Sequence, residues 1–262
     1  MNLRDRVVWL TGASSGIGEA LTYQLVQAGA RVVISARRRE QLERVRAASA
    51  DPERVHVLPL DMTDLDGFEA AHAEAKSAFG PIDLLWHNAG VTQRSLAHET
   101  EMATVRRIME LNFFGPVALT RLVVPEMIER GSGQIAVVSS LAGHVGTPRR
   151  STYSASKHAL HGYFDSMRAE LHDRGIRITM LCPGFIATPL TQSALTADGS
   201  AFQGDGNKDK AMSPEACARS MIRAVHKDAN EAFMGGKEVM VRWVKRVSPN
   251  LLASFVRRVK SS

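Results

Sequence analysis

The chain has 262 residues, of which 44% are apolar and 23% are charged, and these are ordinary values for a globular protein. They exclude a disordered chain, a collagen-like fibre and a polytopic membrane protein, and the length is sufficient for one large domain. Two cysteines, Cys182 and Cys217, are too few for a disulfide scaffold. Both lie in apolar patterns, which favours buried free thiols in a reducing compartment over a single bridge.

The N-terminal residues do not have the pattern of a secretory signal. The apolar run over residues 7–10 is too short for a signal core, and a glycine-rich turn follows it without a cleavage site. Nowhere do eighteen apolar residues run together, so the sequence predicts no membrane-spanning helix. We therefore expect a soluble, cytoplasmic protein.

The net charge of +6 is concentrated at the C-terminal end of the chain. Residues 237–262 contain seven lysines and arginines but only one acidic residue, so residues 1–236 contain 26 of each sign and are neutral. A nucleic-acid-binding domain would have its basic surface on the fold itself. This distribution argues against nucleic acid as a partner and makes the charge a property of the tail.

Short apolar runs alternate with longer segments of helical periodicity. The runs, which are typical of strands buried on both faces, cover residues 7–10, 32–35, 55–59, 83–87, 134–138 and 177–182. The helical segments cover residues 16–27, 39–48, 64–78, 104–129 and 154–173. The alternation predicts an α/β fold, with a single doubly wound, Rossmann-like parallel sheet and helices on both faces.

Two regions depart from this alternation. Residues 188–212 are rich in glycine, aspartate and asparagine, which predicts a lid, a substrate-binding loop or a disordered segment. Residues 237–262 form the basic C-terminal extension. We therefore predict a dinucleotide-binding and catalytic domain over residues 1–236, followed by this extension.

A glycine-rich turn follows the first strand, with the sequence Thr11-Gly12-Ala13-Ser14-Ser15-Gly16-Ile17-Gly18. Glycines let the backbone turn tightly and approach a pyrophosphate, whose charge then meets the N–H groups at the start of the next helix. The spacing G-x-x-x-G-x-G differs from the dinucleotide fingerprint G-x-G-x-x-G. The turn predicts a phosphate site, and a tight turn that binds no ligand is the alternative.

The end of the second strand predicts which nicotinamide cofactor binds. An acidic residue there would bind the ribose hydroxyls of NAD, whereas an arginine accommodates the 2′-phosphate of NADP. The strand ends in Arg37, Arg38 and Arg39 with no carboxylate, and guanidinium groups suit bidentate contact with phosphate. Arg37 is nearest the strand and is the predicted contact, so NADP(H) is the predicted cofactor. For the other arginines, the alternative is an exposed position at the start of the next helix, where the side chains contact solvent and no phosphate.

Tyr153 and Lys157 lie four residues apart at the start of a predicted helix, so their side chains share one face. A tyrosine with a pKa of about 10 is a poor acid at neutral pH, and a nearby ammonium group lowers that pKa. Such a pair can donate a proton to an alcohol oxygen or remove one from it. In isolation the spacing more often marks an ordinary helix with a surface lysine.

The pair is not isolated, and the chain resembles the short-chain dehydrogenase/reductase family. The shared motifs stand in the family's order and spacing over residues 6–189, about 70% of the chain. They are the turn over residues 11–18, Asp61, Asn88-Ala89-Gly90, Asn112, Ser139-Ser140, Tyr153-Ser154-Ala155-Ser156-Lys157 and Pro183-Gly184. The resemblance implies hydride transfer between a nicotinamide cofactor and an alcohol, ketone or aldehyde.

The resemblance also implies catalytic roles. It makes Tyr153 the general acid/base, and it makes Lys157 the group that lowers the pKa of Tyr153 and binds the nicotinamide ribose. Ser140 would hold the substrate carbonyl by a hydrogen bond, and Asn112 would complete a proton relay through a water near Lys157. Ser139 also carries a hydroxyl, but strand alternation would point it to the other face.

Further cofactor contacts follow from the same resemblance. Asp61 and Met62 would meet the adenine, and the run Asn88, Ala89 and Gly90 would line the adenosine ribose. The segment resembling the one that contacts the carboxamide contains Pro183, Gly184, Ile186 and Thr188. The predicted cofactor site is completed by Gly12, Ser14, Ser15, Gly16, Ile17, Gly18, Arg37, Tyr153 and Lys157.

Residues 137–143 and the Tyr153–Lys157 motif are similar to the 11-beta-hydroxysteroid dehydrogenase branch of the family. That branch uses NADP(H), in agreement with Arg37, and acts on steroid-like or other lipophilic alcohols and ketones. We therefore predict an enzyme of lipid or steroid metabolism. The alternative is a catalytically silent NADPH-sensing or scaffold protein, although silent relatives usually lose the tyrosine, lysine or serine that this chain retains.

No metal site is predicted. His158 and His161 lie three residues apart on a predicted helix, and such a pair can share a metal-binding face. No carboxylate or third ligand is evident near them in the sequence, so they are interpreted as ordinary helix residues.

The C-terminal extension has the pattern of basic amphipathic helices over residues 239–260. Ser248 and Pro249 have the form of a helix start, and apolar residues then mark one face while basic residues lie elsewhere. A basic amphipathic helix that carries Trp243 and Phe255 suits contact with a membrane surface. Its apolar face would alternatively dock on its own subunit or on a second copy, and family members are commonly homodimers or homotetramers.

Overall fold

The computed structural model describes residues 3–191, 193–202 and 211–258. Its strands are β1 (Val7–Thr11), β2 (Arg31–Ser35), β3 (Val55–Val57), β4 (Leu84–His87), β5 (Gly133–Val138), β6 (Ile176–Pro183) and β7 (Glu231–Met234). Within the described residues they form one parallel sheet in the order β3-β2-β1-β4-β5-β6-β7. The predicted α/β fold with a single Rossmann-like sheet is confirmed.

Helices connect the strands and cover both faces of the sheet, as right-handed crossovers between parallel strands require. They are α1 (Gly16–Gln27), α2 (Arg39–Ala47), α3 (Phe68–Phe79), α4 (Met102–Met109), α5 (Gly115–Glu129), α6 (Ser151–Leu171), α7 (Pro214–His226), α8 (Val241–Val247) and α9 (Pro249–Arg258). The predicted helix start at Ser248 and Pro249 is confirmed at α9, where the Leu251 N–H donates to Ser248 Oγ at 3.4 Å.

Alternate residues of each strand enter two separate hydrophobic cores. Along β1, Val8 and Leu10 pack with α1, α2 and α7, whereas Val7 and Trp9 pack with α3, α5 and α6. The Trp9 indole N–H is satisfied inside the core because it donates to Ser35 Oγ at 2.9 Å. Since both faces are covered, the central strands β1 and β4 are apolar runs without polar alternation.

The order of the strands reverses at β1. The chain proceeds from β1 outward to β3 and then returns to place β4 on the other side of β1. In open parallel sheets, ligands bind outside the carboxyl ends of the strands at such a reversal. The loops after β1, β4, β5 and β6 contain most of the predicted site residues, and the topology brings them to this one edge.

The helix predicted over residues 104–129 is interrupted by a π-helical turn. This turn, Glu110–Phe114, joins α4 to α5, and its defining hydrogen bond runs from the Gly115 N–H to the Glu110 carbonyl. A Cβ atom on Gly115 would lie 2.2 Å from the Met62 carbonyl oxygen, so only glycine lets the helix approach the loop after β3 this closely. The turn carries the predicted site residue Asn112, and π-helical turns are frequent at functional sites.

The continuous stretch Met102–Glu129 is also, among the described residues, the one helix whose length and hydropathy suffice to cross a membrane. Its residues Leu119, Val123 and Met127 are buried in the core beside the sheet. The core helix of a globular domain has the same length and composition.

The sequence pattern does not predict two elements at the β7 edge of the sheet, namely helix α7 and strand β7 itself. Helix α7 begins at Pro214, and Ser213 Oγ caps it by accepting from the Ala216 N–H. Strand β7 is only four residues long and partly exposed, and it begins with the acidic Glu231. A short, polar edge strand has too little apolar pattern to be identified without its neighbour β6.

The predicted loop over residues 188–212 lies against the segment after β4. Leu195 is buried there, and its N–H donates to the Thr92 carbonyl while its own carbonyl accepts from the Arg94 N–H. Further along, the Met212 N–H donates to the Phe185 carbonyl at 2.9 Å. Residues 203–210 of this loop lie outside the described residues.

Candidate active site

A cavity of about 520 Å³ opens at the carboxyl ends of the strands, where the strand order reverses. The predicted site residues in its wall are Gly12, Ser14, Ser15, Gly16, Ile17, Arg37, Asp61, Met62, Asn88, Ala89, Gly90, Tyr153, Lys157, Pro183 and Thr188. The other predicted site residues lie outside this lining and are Gly18, Asn112, Ser140, Gly184 and Ile186. Ile186 pairs with Met212 instead, and Gly184 lies against Glu238.

The glycine-rich turn brings backbone segments closer together than side chains would allow. Gly12 has a φ of +69°, and a Cβ atom there would lie 2.6 Å from the Ala89 Cα. A Cβ atom on Gly18 would lie 2.1 Å from the Gly12 carbonyl oxygen, where α1 meets the turn. Asn88 stabilises the turn, because its Nδ2 donates a hydrogen bond to the Gly12 carbonyl at 2.9 Å.

The start of α1 is open toward this cavity. Ser15 is the N-cap residue, but its side chain makes no capping hydrogen bond to the first turn. The first N–H groups of a helix have no partners within the helix, and together with the helix dipole they favour an anion. The turn and this helix start therefore fit a pyrophosphate group.

Arginines surround the turn on the side of β2. Arg37 and Arg38 both line the cavity and are exposed, whereas Arg39 lies 3.7 Å from Glu43 on its own helix. Arg44 was not among the predicted residues, but its guanidinium binds both Glu19 carboxylate oxygens at 2.7 and 2.8 Å and the Ser14 carbonyl at 3.2 Å. Arg44 therefore links the glycine-rich turn to α1, and only the tertiary fold brings Arg44 close to both.

Tyr153 and Lys157 lie one above the other in α6 and are both buried. The Lys157 ammonium lies 5.9 Å from the centroid of the Tyr153 ring and donates to the Val138 carbonyl at 2.9 Å. Burial raises the pKa of Tyr153, and a hydrogen bond with the Ser140 hydroxyl opposes part of that increase. Burial also lowers the pKa of Lys157 to about 8. In this arrangement the Ser140 hydroxyl favours the phenolate of Tyr153.

The two serines after β5 point in different directions, as strand alternation predicts. Ser140 Oγ accepts from the Ala142 N–H at 3.1 Å and faces Tyr153 and the Pro183 carbonyl. Ser139 Oγ instead lies 2.9 Å from His161 Nε2. Of the two hydroxyls, only that of Ser140 is directed to Tyr153.

Asn112 is fully buried behind the cavity, within the π-helical turn. Its Oδ1 accepts from the Val91 N–H at 2.8 Å, and its Nδ2 donates to the Val91 carbonyl at 2.9 Å and to Ser156 Oγ at 3.0 Å. Gly90 separates it from Lys157, since a Cβ there would lie 3.4 Å from Asn112 Oδ1 and 3.6 Å from Lys157 Nζ. The side chain thus holds the loop after β4 against α6.

A residue that sequence reasoning missed, Gln93, positions the start of α6. It is fully buried, and its Oε1 accepts from the N–H groups of Thr152 at 2.8 Å and Tyr153 at 3.3 Å. Gln93 thereby takes the place of an N-cap side chain, which Arg150 does not supply. No local pattern signals this role, because Gln93 and Tyr153 are sixty residues apart in the chain.

Part of the cavity wall is apolar and lies outside the predicted site residues. It includes Val91, Leu111, Leu190 and Leu195. Arg107 is also in the wall and donates to the Gly199 carbonyl at 3.3 Å, which ties α4 to the loop after β6. A cavity of this composition suits a ligand with a large apolar surface.

The histidines considered as a metal-binding pair have different partners. His158 Nδ1 lies 2.8 Å from the Ser154 carbonyl oxygen in its own helix. His161 is directed to Ser139, His144 and Cys182.

The lowered pKa of Lys157 predicts how stability depends on pH. Since its pKa falls from 10.5 to about 8 on folding, burying the ammonium destabilises the folded state below pH 8. This cost decreases as the pH rises from 8 toward 10.5, by about 3 kcal/mol at most. We expect the free energy of unfolding of the wild type to rise relative to that of Lys157→Met between pH 7.5 and 9.5, measured by urea denaturation. Parallel pH profiles for the two proteins would contradict this.

Comparisons with known proteins find similar sequences and similar folds. The sequence matches the family model described as short chain dehydrogenase over residues 6–199. Dehydrogenase/reductase SDR family member 7 of Homo sapiens is 40% identical over 239 residues, which cover 88% of this chain and 70% of that protein.

Two solved structures from Burkholderia are similar to the fold. A short chain dehydrogenase from Burkholderia cenocepacia in complex with NADP has a TM-score of 0.82 at 26% identity, covering 98% of this chain and 99% of that one. A short chain dehydrogenase/reductase from Burkholderia phymatum in complex with NAD has a TM-score of 0.84 at 20% identity, covering 96% of each chain. The second likeness concerns the fold alone.

Proposed function

Because this chain belongs to the short-chain dehydrogenase/reductase family of oxidoreductases, we propose that it interconverts an alcohol and a ketone or aldehyde with NADP(H). One observation carries the proposal. The lining of one cavity includes both the glycine turn and the buried side chains of Tyr153 and Lys157, and the Ser140 hydroxyl is hydrogen-bonded to Tyr153.

The choice of NADP(H) rests on the end of β2. Arg37 and Arg38 both line the cavity there, and guanidinium groups bind a 2′-phosphate bidentately. The carboxylate of Asp61, after β3, is engaged by the N–H and hydroxyl of Thr63 at 2.9 and 2.8 Å. Among the similar structures, the one from Burkholderia cenocepacia is in complex with NADP.

The proposed cofactor would be held along the whole cavity. The glycine turn and the start of α1 would hold the pyrophosphate, Asp61 and Met62 would lie beside the adenine, and Asn88 to Gly90 would line the adenosine ribose. Pro183 and Thr188 would meet the carboxamide, and Lys157 the nicotinamide ribose. When bound, the cofactor supplies the hydride that reduces a carbonyl carbon.

Tyr153 would move the proton in the same reaction. Its hydroxyl would protonate the carbonyl oxygen as negative charge develops there, and it would remove that proton in the oxidative direction. Ser140 would donate a hydrogen bond to the same oxygen. The Lys157 ammonium would stabilise the phenolate that remains, and Asn112 would keep the loop after β4 in place so that a water beside Lys157 can return the proton.

The proposed substrate is lipophilic. Apolar side chains that line the cavity, namely Val91, Leu111, Leu190 and Leu195, support this class. The similarity to the 11-beta-hydroxysteroid dehydrogenase branch supports the same class, namely a steroid or another lipid alcohol or ketone.

The proposal is tested by following NADPH oxidation with a panel of carbonyls. The panel contains steroids, retinal-like aldehydes, fatty aldehydes and small diketones, and NADH serves as the cofactor control. We expect turnover with NADPH and the highest kcat/KM with a large apolar carbonyl. Measurable NADPH binding without turnover of any carbonyl would contradict the proposal and favour the sensing or scaffold role.

The Arg37→Ala variant tests the choice of cofactor. Losing a charge-assisted contact of about 1.5–3 kcal/mol should raise the KM for NADPH by about 10- to 100-fold. The KM for NADH should stay within about twofold, because NADH has no 2′-phosphate. The matched control is Arg39→Ala, since Arg39 lies against Glu43 outside the cavity lining. Equal changes for both cofactors would contradict the assignment of Arg37.

We also propose that the C-terminal extension lies on a membrane surface rather than on a second copy of the chain. Leu252 is buried, but five other apolar side chains of the extension are more than half exposed, namely Met240, Trp243, Val247, Leu251 and Phe255. Basic residues accompany them, including Arg246 and Arg257. Apolar area combined with basic charge favours anionic lipid, which would place the enzyme where lipophilic substrates concentrate.

A double variant tests this surface. Leu251→Ser together with Phe255→Ser removes exposed apolar area without touching the buried Leu252. We expect co-sedimentation with phosphatidylserine vesicles to fall by at least about tenfold, because two buried apolar side chains contribute about 3 kcal/mol or more. Met102→Ser, at an exposed position outside the extension, is the control. If wild-type and double variant sediment alike, or if the double variant only dissociates a dimer in gel filtration, the membrane assignment is wrong.

A further inference from the structure

Four side chains with metal-ligating atoms meet behind the cavity at the edge of the sheet. They are His144, His161, Cys182 and Glu231, and we refer to them as the β6–β7 cluster. Cys182 lies near the end of β6, Glu231 begins β7, His161 lies in α6, and His144 follows the short turn Leu141–Gly143. One potential ligand atom from each residue lies within 4.8 Å of all the others.

The separations within the cluster match a tetrahedral zinc site. Zinc bonds of about 2.0–2.3 Å to nitrogen, oxygen and sulfur place the ligand atoms of a tetrahedron about 3.3–3.8 Å apart. Cys182 Sγ lies 3.7 Å from His144 Nε2 and 3.6 Å from Glu231 Oε1. The His161 ring also approaches Glu231, with Nδ1 3.6 Å from Oε1. His144 Nε2 lies closer to Glu231 Oε1, at 2.8 Å. These two atoms must therefore move slightly apart when an ion binds between them.

The surroundings of the cluster favour a bound cation over four separate polar groups. Cys182 is fully buried, and its thiol lies against the Glu231 carboxylate, whose negative charge would favour a cation here. The His161 side chain is largely buried beside it. Ser139 Oγ, 2.9 Å from His161 Nε2, can accept the other ring proton, as partners of metal-binding histidines usually do.

We propose that the β6–β7 cluster binds one Zn²⁺ ion through two histidines, one cysteine thiolate and one carboxylate. On binding, the Cys182 thiol proton passes to the solvent and the thiolate becomes a ligand. Four protein ligands complete the coordination, which is typical of a structural zinc site. A thiolate and imidazoles select zinc over calcium or magnesium, which prefer oxygen ligands.

The ion would join three segments that support the candidate active site. His144 lies four residues after Ser140, and Cys182 directly precedes Pro183 in the cavity wall. Zinc would link the segments that contain His144 and Cys182 to β7. Removing the ion should therefore make the position of Ser140 less well fixed. The sequence prediction of no metal site considered only His158 and His161, whereas the ligands of this cluster are spread over residues 144–231.

The test is metal binding by the full-length protein. After chelator treatment and gel filtration, we expect one equivalent of added Zn²⁺ to remain bound, as counted by elemental analysis. With Co²⁺ in its place, we expect a thiolate-to-cobalt charge-transfer band together with the intense visible bands of tetrahedral coordination. A substoichiometric zinc content, or a cobalt spectrum without the thiolate band, would overturn the proposal and leave the cluster as a hydrogen-bonded network.

Variants identify the ligands. Cys182→Ser should abolish the thiolate band, and Glu231→Gln, at a partly exposed edge position, should weaken zinc binding by about 100-fold or more. The matched controls are Cys217→Ser, the other buried thiol, and His158→Gln on the same helix as His161. If Cys182→Ser does not fold, Glu231→Gln decides the question. Unchanged zinc affinity in Glu231→Gln would overturn the four-ligand site.

Discussion

Tyr153→Phe should lower kcat/KM for carbonyl reduction by about 10²–10⁴-fold, the usual contribution of a positioned general acid. The substitution removes only the hydroxyl and leaves the buried ring in place, so packing and the contacts of Lys157 persist. We therefore expect the Kd for NADPH, measured by fluorescence titration, to change by less than about threefold. A loss of turnover with intact cofactor binding separates proton transfer from folding and from binding.

Tyr163→Phe is the matched control, because Tyr163 lies in the same helix and packs its ring against Phe113 and Phe164. It should retain turnover within about twofold. If Tyr153→Phe were as active as this control, another group would have to protonate the carbonyl oxygen, and the proposed roles of Ser140 and Lys157 would lose their basis.

Gly18→Ala should disrupt both the fold and the cofactor site. The new Cβ atom would lie 2.1 Å from the Gly12 carbonyl oxygen and 2.6 Å from Asn88 Nδ2, and the nearest of these is backbone that cannot rotate away. The start of α1 must move, at a cost of about 1–3 kcal/mol in the free energy of unfolding. Losing one phosphate hydrogen bond of about 1.5 kcal/mol as a result would weaken NADPH binding by about tenfold.

The chain contains a control that makes this prediction specific. Gly162 also lies within a helix, but nothing lies within 4 Å of a Cβ atom built there. Gly162→Ala should therefore stabilise the protein by about 1 kcal/mol through helix propensity alone and leave NADPH affinity unchanged. Urea denaturation and NADPH titration of the two variants measure both effects. Equal stabilisation in both would show that the turn is looser than the close approach of Gly18 to Gly12 implies.

The sequence by itself determined the architecture and singled out Tyr153 and Lys157, which are proposed to carry the reaction. Strands buried on both faces are continuous apolar runs, and their alternation with helical periods specifies a parallel sheet. The glycine turn and the Tyr153–Lys157 spacing are local patterns, since each depends on residues within one turn or one helix. Both patterns can therefore be identified without knowledge of the fold. Strand alternation likewise predicts the direction of the Ser139 side chain.

Tertiary structure decided which distant residues support these groups. Gln93 caps α6 across sixty residues, and the π-helical turn places Asn112 because Gly115 allows close contact with the Met62 carbonyl. The β6–β7 cluster assembles only when β6 and β7 pair. Hydrogen bonds and metal ligands require proximity of a few ångströms in space, and sheet register sets that proximity independently of distance along the chain. A local pattern identifies the side chains proposed to react, whereas only the packed fold identifies the residues that hold them in place.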